Sequence, residues 1–334
     1  MKVTIADIAK KANVSKMTVS RVLSGKGQVA QKTAERIRRI ADKMEYHPNL
    51  IARSLASKQT KILGVIIPKI EHMFLDNYIA QILSGLTDVA LHNDYKIILC
   101  PVDISQKSDT AYLSISRTKM LDGMILVKTK MNDPNLKKLV EVDFPFVLVN
   151  YKSSSEKIHY IDSHNIKGAE IAVEYLYNTG HRNIAFVAGS MDETNARDRM
   201  KGFKTAANKY NLNCPEDWII YGDFSKEKAY KESEKLFTGN TNPTAIFCSD
   251  DYMAIGVMER IKSKNLRIPE DVAVIGFDDI EIAAYVKPAL TTVRQPIYQL
   301  GKSAAVMLLD IINKKENIDN HRILDVELIK RESA

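Results

Sequence analysis

The sequence predicts two architectures in one chain: an all-α helix-turn-helix headpiece, then an α/β domain of two parallel-sheet subdomains. Two periodicities and one charge asymmetry predict it. Up to Pro48, apolar residues recur at helical spacing in three short stripes. From Ile62 onward, unbroken apolar runs alternate with helical patterns, as in βαβ units. Residues 1–60 carry 13 Lys/Arg against four Asp/Glu, a net of +9; the rest of the 334-residue chain carries 35 against 37, a net of −2. At roughly 100–200 residues per domain, this length holds two or three domains.

The first helix is signalled by Thr4, which can cap, with Asp7 three residues on. Ile5, Ile8, Ala9 and Ala12 then form one apolar stripe. Asn13-Val14 breaks it, and Ser15 caps a second helix with Val19, Val22 and Leu23 on its inner side. The other side presents Lys16, Met17, Thr18, Ser20 and Arg21. A third stripe runs through Ile37, Ile40, Ala41 and Met44, and Pro48 forbids its continuation. Two short helices joined by a tight turn and braced by a third form a helix-turn-helix. The outward face of the second is short, polar and basic, so it can enter a major groove, with Arg21 the candidate bidentate reader of guanine. Hydroxyls of Ser and Thr, and helix N-terminal amides, suit phosphates. The bland alternatives are a small protein-binding helical domain, or a solvated basic face, which the charge alone fits equally well.

Asn49 caps a helix-like stretch, NLIARSLASK, too short to be stable alone in water and too narrow in its apolar face for a core of its own. Such a segment can stay loose until it docks, and an apolar side chain docked in a minor groove can wedge between base steps.

Eight apolar runs follow: ILGVII (62–67), KIILC (96–100), GMILV (123–127), PFVLV (145–149), IAFVA (184–188), WIIY (218–221), TAIFC (244–248) and VAVIG (272–276). Strands of this kind belong to parallel sheets covered on both faces, and eight fit two subdomains better than one. Trp218 reads as a strand residue. RQPIYQLGKSAAVMLLDIINKK (294–315) reads as one amphipathic helix after a Pro start. Ligands of such folds bind beyond the carboxyl ends of strands. There the sequence places Phe74, Lys128, Asn150, the segment SMDETNARDRMKGF with Asn195 and Arg199, Phe224, Asp250 and Asp278. Planar Arg, Asp and Asn groups suit vicinal hydroxyls, and aromatic faces suit the C–H face of a sugar ring. Singly, each has a plainer role: Asp250 and Asp278 as helix caps, Arg199 as a surface ion-pair residue, Phe74 and Phe224 as core.

Other classes fare poorly. Cys100, Cys214 and Cys248 have no paired or metal-ligand spacing, so free thiols are expected, buried at Cys100 and Cys248. MKVTIADIAKK lacks the apolar core of a signal peptide, and runs such as ILGVIIP are too short to span a bilayer. A soluble cytoplasmic protein without membrane partner, metal or cofactor is expected. There is no G-x-G-x-x-G, Walker loop or G-x-S-x-G, and His159 and His164 lack helical metal spacing and read as loop residues, so an enzyme is not expected.

VTIADIAKKANVSKMTVSRVLSGKGQVAQKT, followed by YHPNLIARSLASKQT, resembles the DNA-binding headpiece and hinge of the lac repressor/galactose repressor (LacI/GalR) family. The resemblance runs ungapped over about sixty residues and continues through the rest of the chain. It implies base reading by Lys16, Met17 and Arg21. It also implies a hinge helix containing Ala52 and Arg53, whose Leu55 enters the minor groove at the operator centre. Lys16 and Met17 are the variable reading positions, so the operator cannot be copied from a relative.

The family's regulatory domain is similar to periplasmic sugar-binding proteins. The resemblance places its effector arginine on Arg199, its strand-end asparagine on Asp250 and its conserved-motif aspartate on Asp278. Phe74 and Phe224 match aromatic wall positions; Asn150 and Gln295 match polar ones. Two departures matter. Asp250 replaces an amide, and Glu193 and Asn195 stand where purine-binding members have an arginine and a threonine, so a purine is not expected.

The implied organisation is a headpiece (1–48), a hinge helix and linker (49–60), and an effector-binding and dimerisation domain (61–334). Within that domain the N-subdomain is about 61–160 and 292–321, and the C-subdomain about 161–291 and 322–334. No leucine heptad follows Arg331, so a homodimer rather than a tetramer is expected. The implied function is a transcriptional repressor that binds a pseudopalindromic double-stranded DNA operator under allosteric control by a small carbohydrate. The alternatives are a catabolite-control-type regulator answering to a phosphorylated carrier protein, and a sugar transport receptor, which the basic headpiece disfavours.

Overall fold

In a computed structural model of the chain, residues 3–24, 28–46, 59–69, 76–103, 111–239 and 241–334 are described. The chain divides into two units, Met1–Thr60 and Lys61–Ala334. In the first, helix α1 (Ile5–Ala12) opens on a reciprocal capping box: Asp7 N donates to Thr4 Oγ1 at 3.4 Å, and Thr4 N donates to the Asp7 carboxylate at 2.9 Å. Asn13, in the left-handed region at φ 50°, closes α1. Ser15 Oγ accepts from Thr18 N at 3.0 Å and so caps α2 (Lys16–Ser24). Helix α3 (Gln31–Lys43) completes the unit. Ile8, Val19 and Ile37, one from each helix, meet in its core.

The second unit follows in order: β1 (Ile62–Pro68), α4 (Asn77–His92), β2 (Lys96–Val102), α5 (Ala111–Arg117), β3 (Gly123–Val127), α6 (Pro134–Glu141), β4 (Phe146–Val149) and β5 (Tyr160–Ser163). Next come α7 (Asn165–Asn178), β6 (Ile184–Ala188), α8 (Thr194–Lys209), β7 (Ile219–Tyr221), α9 (Lys226–Glu232), β8 (Ala245–Cys248), α10 (Asp251–Ser263), β9 (Ala273–Asp278) and β10 (Thr291–Arg294). The chain ends with α11 (Ile297–Ile312), β11 (His321–Leu324) and β12 (Glu327–Ile329). Among the described residues these strands build two six-stranded sheets, ordered β11-β5-β4-β3-β1-β2 and β12-β10-β9-β8-β6-β7. All neighbours pair in parallel except β10 and β12, which are antiparallel. The central strands β3, β6, β8 and β9 are buried along their whole length, as their unbroken apolar runs require.

Four strands escape the apolar-run reading. Tyr160–Ser163 carries Asp162 and Ser163, and Thr291–Arg294 opens on two threonines, yet both lie inside sheets. His321–Leu324 and Glu327–Ile329 are half-exposed edge strands. These strands shift the expected crossovers. Residues 161–163 and 322–324 belong to the first sheet, and 292–294 to the second. Trp218 closes a short 3-10 turn ahead of β7 rather than lying in the strand. Cys100 is half-buried, not buried; Cys248 is buried, and all three thiols are free.

The late helix α11 returns to the first subdomain, where Ile297, Leu300, Ala304 and Leu308 share a core with Ile79, Ile82 and Leu86 of α4. The two helices touch closely enough that Gly301 is obligatory. A Cβ there would stand 2.2 Å from the Ile82 carbonyl oxygen. Gly301→Ala is expected to force α4 and α11 apart and destabilise the chain by ~1–3 kcal/mol. An unchanged unfolding temperature would show that the pair can separate without loss.

Candidate functional site

A cleft lies at the carboxyl ends of both sheets. The first subdomain contributes Asp76 and Tyr78 from the start of α4, Lys128 after β3 and Asn150 after β4. The second contributes Glu193, Asn195 and Arg199 from the start of α8, Phe224 after β7, Asp250 and Tyr252 at the start of α10, and Asp278 at the end of β9. Gln295 enters from the crossover between β10 and α11. The backbone turns sharply where it supplies these groups. Lys128 (φ 54°), Asn150 (φ 56°), Phe224 (φ 60°) and Asp278 (φ 115°) all have positive φ. Such conformations cost of order 1–3 kcal/mol each and gather at binding sites. Phe224 can lie over the end of β6 because Gly189 has no side chain; a Cβ there would meet the ring at 2.2 Å.

Arg199 is the centre of the site, with 1% of its surface exposed. Its Nε donates to Asn165 Oδ1 at 2.8 Å and its Nη1 to the Ser249 carbonyl. Nη1 also lies 3.4 Å from Asp278 Oδ1, and the guanidinium carbon stands 3.8 Å over the Phe277 ring. Nη2 is buried and has no hydrogen-bond partner among the described residues. Asp278 Oδ1 accepts from Gln295 Nε2 at 2.6 Å, and Gln295 Oε1 accepts from Ser163 Oγ at 3.0 Å. Asn165 Nδ2 donates to Asp162 Oδ1 at 2.8 Å.

Burial raises several carboxyls here. It lifts Asp162 to about 7 against the hydrogen bond from Ser163 N. It also raises Asp250, where the Asp278 charge adds to it, and Asp278, where Arg199 opposes it. Burial works against the Lys128 ammonium, but the Asp76 carboxylate at 2.7 Å overrides it and the net shift is upward. Asp250 has both roles that its position suggests: Oδ1 accepts from Met253 N at 2.7 Å, capping α10, and the residue lines the cleft. Its neighbour Asp251 is structural, accepting from Ile280 N at 2.9 Å and from Thr292 Oγ1 at 2.5 Å.

The two subdomains also touch beside the cleft. Met131 N donates to the Asp192 carbonyl at 2.6 Å, Lys152 N to Thr194 Oγ1 at 3.0 Å, and Asn77 N to Tyr252 Oη at 3.4 Å. Of the nine residues singled out for this site, the cleft gathers Lys128, Asn150, Asn195, Arg199, Phe224, Asp250, Asp278 and Gln295. Phe74 lies outside the described residues. Asp76, Tyr78 and Tyr252 were not foreseen. Asp76 is readable as the cap of α4, whose Tyr78 and Ile79 amides it accepts at 3.0 and 3.3 Å. Tyr252 lies two residues past Asp250.

In the headpiece, α2 turns Val19 and Val22 inward, while Lys16, Met17, Ser20 and Arg21 are exposed, Met17 to 63%. Thr18 is half-buried, its hydroxyl 2.9 Å from Ser15 Oγ, and the Thr4 hydroxyl donates to Asp7 at 2.7 Å. Both hydroxyls therefore also serve the caps. Asn49, Ala52, Arg53 and Leu55 lie outside the described residues.

The raised carboxyls make stability pH-dependent with a definite sign. Folding favours their protonated forms, so their contribution is full below about 4 and is lost as pH rises through the folded values, about 7 at Asp162. Surface acids such as Asp271, held down at about 2 by Arg267, titrate far below this. His159 and His181, lowered by burial, titrate on the acid side of about 6.5. The unfolding temperature of the full chain is expected to fall by a few degrees between about pH 6.5 and 8, and Asp162→Asn to flatten the fall. A wild-type curve that rises over this interval would contradict the assignment.

Comparison with known proteins agrees with this plan. Residues 4–49 match the model of bacterial regulatory proteins of the lacI family, and residues 173–334 match the periplasmic binding protein-like domain. Catabolite control protein A of Priestia megaterium is 35% identical over 321 residues, covering 96% of this chain and 95% of that protein. The HTH-type transcriptional repressor PurR of Vibrio vulnificus is 31% identical over 333 residues, covering 99% and 98%. Among solved structures, the lac repressor dimer bound to operator and the anti-inducer ONPF superposes with a TM-score of 0.88 at 26% identity, covering 100% and 99%. The complex of the transcriptional regulator CelR with cellobiose gives 0.78 at 27% identity, covering 100% of both chains. The described residues include no helix long and apolar enough to cross a membrane. The chain belongs to the LacI family and is a DNA-binding transcriptional regulator, not an enzyme.

Proposed function

We propose that the chain represses transcription by binding a pseudopalindromic operator as a homodimer, and that a small carbohydrate in the cleft controls that binding. The observation that carries the effector reading is the Nη2 of Arg199: a buried cationic donor without a partner among the described residues, in a cleft lined by carboxylates, amides and aromatic rings. A buried donor left unpaired is costly, so an acceptor from a ligand is the natural complement. Hydroxyls supply it, and they donate in turn to Asp250, Asp278 and Asn150. Phe224 offers a face for the sugar ring. The CelR complex with cellobiose, in the same fold, supports a sugar as the ligand.

On DNA, the exposed face of α2 enters the major groove with Lys16, Met17 and Arg21 on base edges, while Ser15, Ser20 and the start of α1 at Thr4 meet phosphates. Asn49, Ala52, Arg53 and Leu55 belong to the hinge of this reading. Two headpieces on one dimer read two half-sites. A ligand bridging the subdomains biases their closure, whose contacts include Met131 with Asp192 and Lys152 with Thr194. Coupling of ~1–3 kcal/mol between such a site and DNA suffices for regulation.

Two measurements test this. In a thermal-shift panel of mono- and disaccharides, sugar phosphates and purines, a ligand at 100 times its Kd is expected to add ~2.7 kcal/mol of stability, and Arg199→Ala to abolish the gain. A flat panel would shift the reading to a protein effector. Arg21→Ala is expected to cost ~1–3 kcal/mol on operator DNA and to relax specificity. An equal loss on random DNA would remove Arg21 from base reading.

A further inference from the structure

The cleft is lopsided in charge. Asp76, Glu193, Asp250 and Asp278 line it against Lys128 and Arg199, four carboxyls to two cations. Both cations are already engaged. Lys128 Nζ is 2.7 Å from Asp76, and Arg199 Nη1 is 3.4 Å from Asp278. Asp250 and Glu193 have no cation within ion-pair distance among the described residues. One Asp250 oxygen accepts from Met253 N, and the other has no donor among the described residues. Asp250 is 6% exposed. Gln295, the nearby amide, is committed at both ends, to Asp278 and to Ser163.

We infer that the ligand is a carbohydrate carrying a protonated amino group, an amino sugar, with its ammonium between Asp250 and Glu193 and a hydroxyl on Arg199 Nη2. This rests on the carbohydrate reading above and narrows it. A neutral sugar can donate hydroxyl hydrogen bonds to both carboxyls, but it adds no charge to the partial offset that Lys128 and Arg199, each already paired, give them, and ionised carboxylates are costly in a buried site. An ammonium supplies three donors and the missing charge together, and charge-assisted hydrogen bonds are about twice as strong as neutral ones. Burial, which lifts the Asp250 carboxyl above its ordinary range, is the effect that a cation beside it reverses. The Arg199 donor independently requires an acceptor, so a bare amine without hydroxyls does not satisfy the site.

The test is calorimetry on the full chain with matched triplets: glucosamine, galactosamine, mannosamine and the glucosamine disaccharide, each beside its neutral parent and its N-acetyl form. At least one amino sugar is expected to bind about tenfold tighter than both counterparts, or about 1.4 kcal/mol. Asp250→Asn and Glu193→Gln, which keep shape and remove charge, are expected to bring that ratio towards one. A neutral parent that binds as tightly as its amine would overturn the inference and leave the carbohydrate reading standing. A preference that survives both substitutions would overturn the assignment to these carboxylates. Silence across all the triplets would overturn both readings.

Discussion

One buried charge organises the regulatory unit. A guanidinium out of water is tolerated only where acceptors surround it. Meeting that demand at Arg199 draws in Asn165 from the start of α7, the Ser249 carbonyl beyond β8, Asp278 from the end of β9 and the Phe277 ring beneath. Three strand and helix ends are thereby held in register around one side chain. The network then leaves its own subdomain. Asp278 holds Gln295, and Gln295 holds Ser163, so two of the segments that pass between the sheets are tied to the same carboxylate. Binding site and inter-subdomain connection are one hydrogen-bonded structure, which is the property an effector needs if its binding is to change subdomain geometry.

The elements most legible in the sequence were those where one force dominates. Central strands such as IAFVA and AIFC are buried on both faces, so their composition is decided by burial alone. Helix α1 was legible from Thr4 and Asp7 because capping is local. The unread strands are those where other forces dominate. Tyr160–Ser163 holds Asp162 and Ser163 because it ends in the polar network beneath Arg199. In Thr291–Arg294, Thr292 carries a hydroxyl bonded to buried Asp251. A period-based reading cannot see a polar side chain whose partner is 41 residues away. The same blindness misplaced the crossovers by a few residues.

The site was more legible than the strands that frame it, for a geometric reason. Ligand groups sit where strands end, and strand ends are marked by an abrupt change from apolar to polar, as at Val127-Lys128, Val149-Asn150 and Phe277-Asp278. Asp76, Tyr78 and Tyr252 lack that mark: they stand at the starts of helices α4 and α10, Tyr252 close to Asp250 in sequence. Gln295 was placed by family resemblance, and its two hydrogen bonds now give it a physical reason.

Headpiece and cleft share one design rule with opposite tolerance. On α2, Val19 and Val22 carry the packing while Lys16, Met17 and Arg21 are exposed, so side chains of the outer face can vary without disturbing the core. In the cleft the division is incomplete. Asp250 caps α10 through Met253 N while also lining the cleft. Only short side chains with an oxygen can do both, so the chemistry available there is confined to Asp, Asn, Ser and Thr. Within that set only Asp brings a charge. On the proposed reading, a change from amide to carboxylate at this position would alter ligand preference without altering the fold, so that specificity moves along the one axis that capping leaves open.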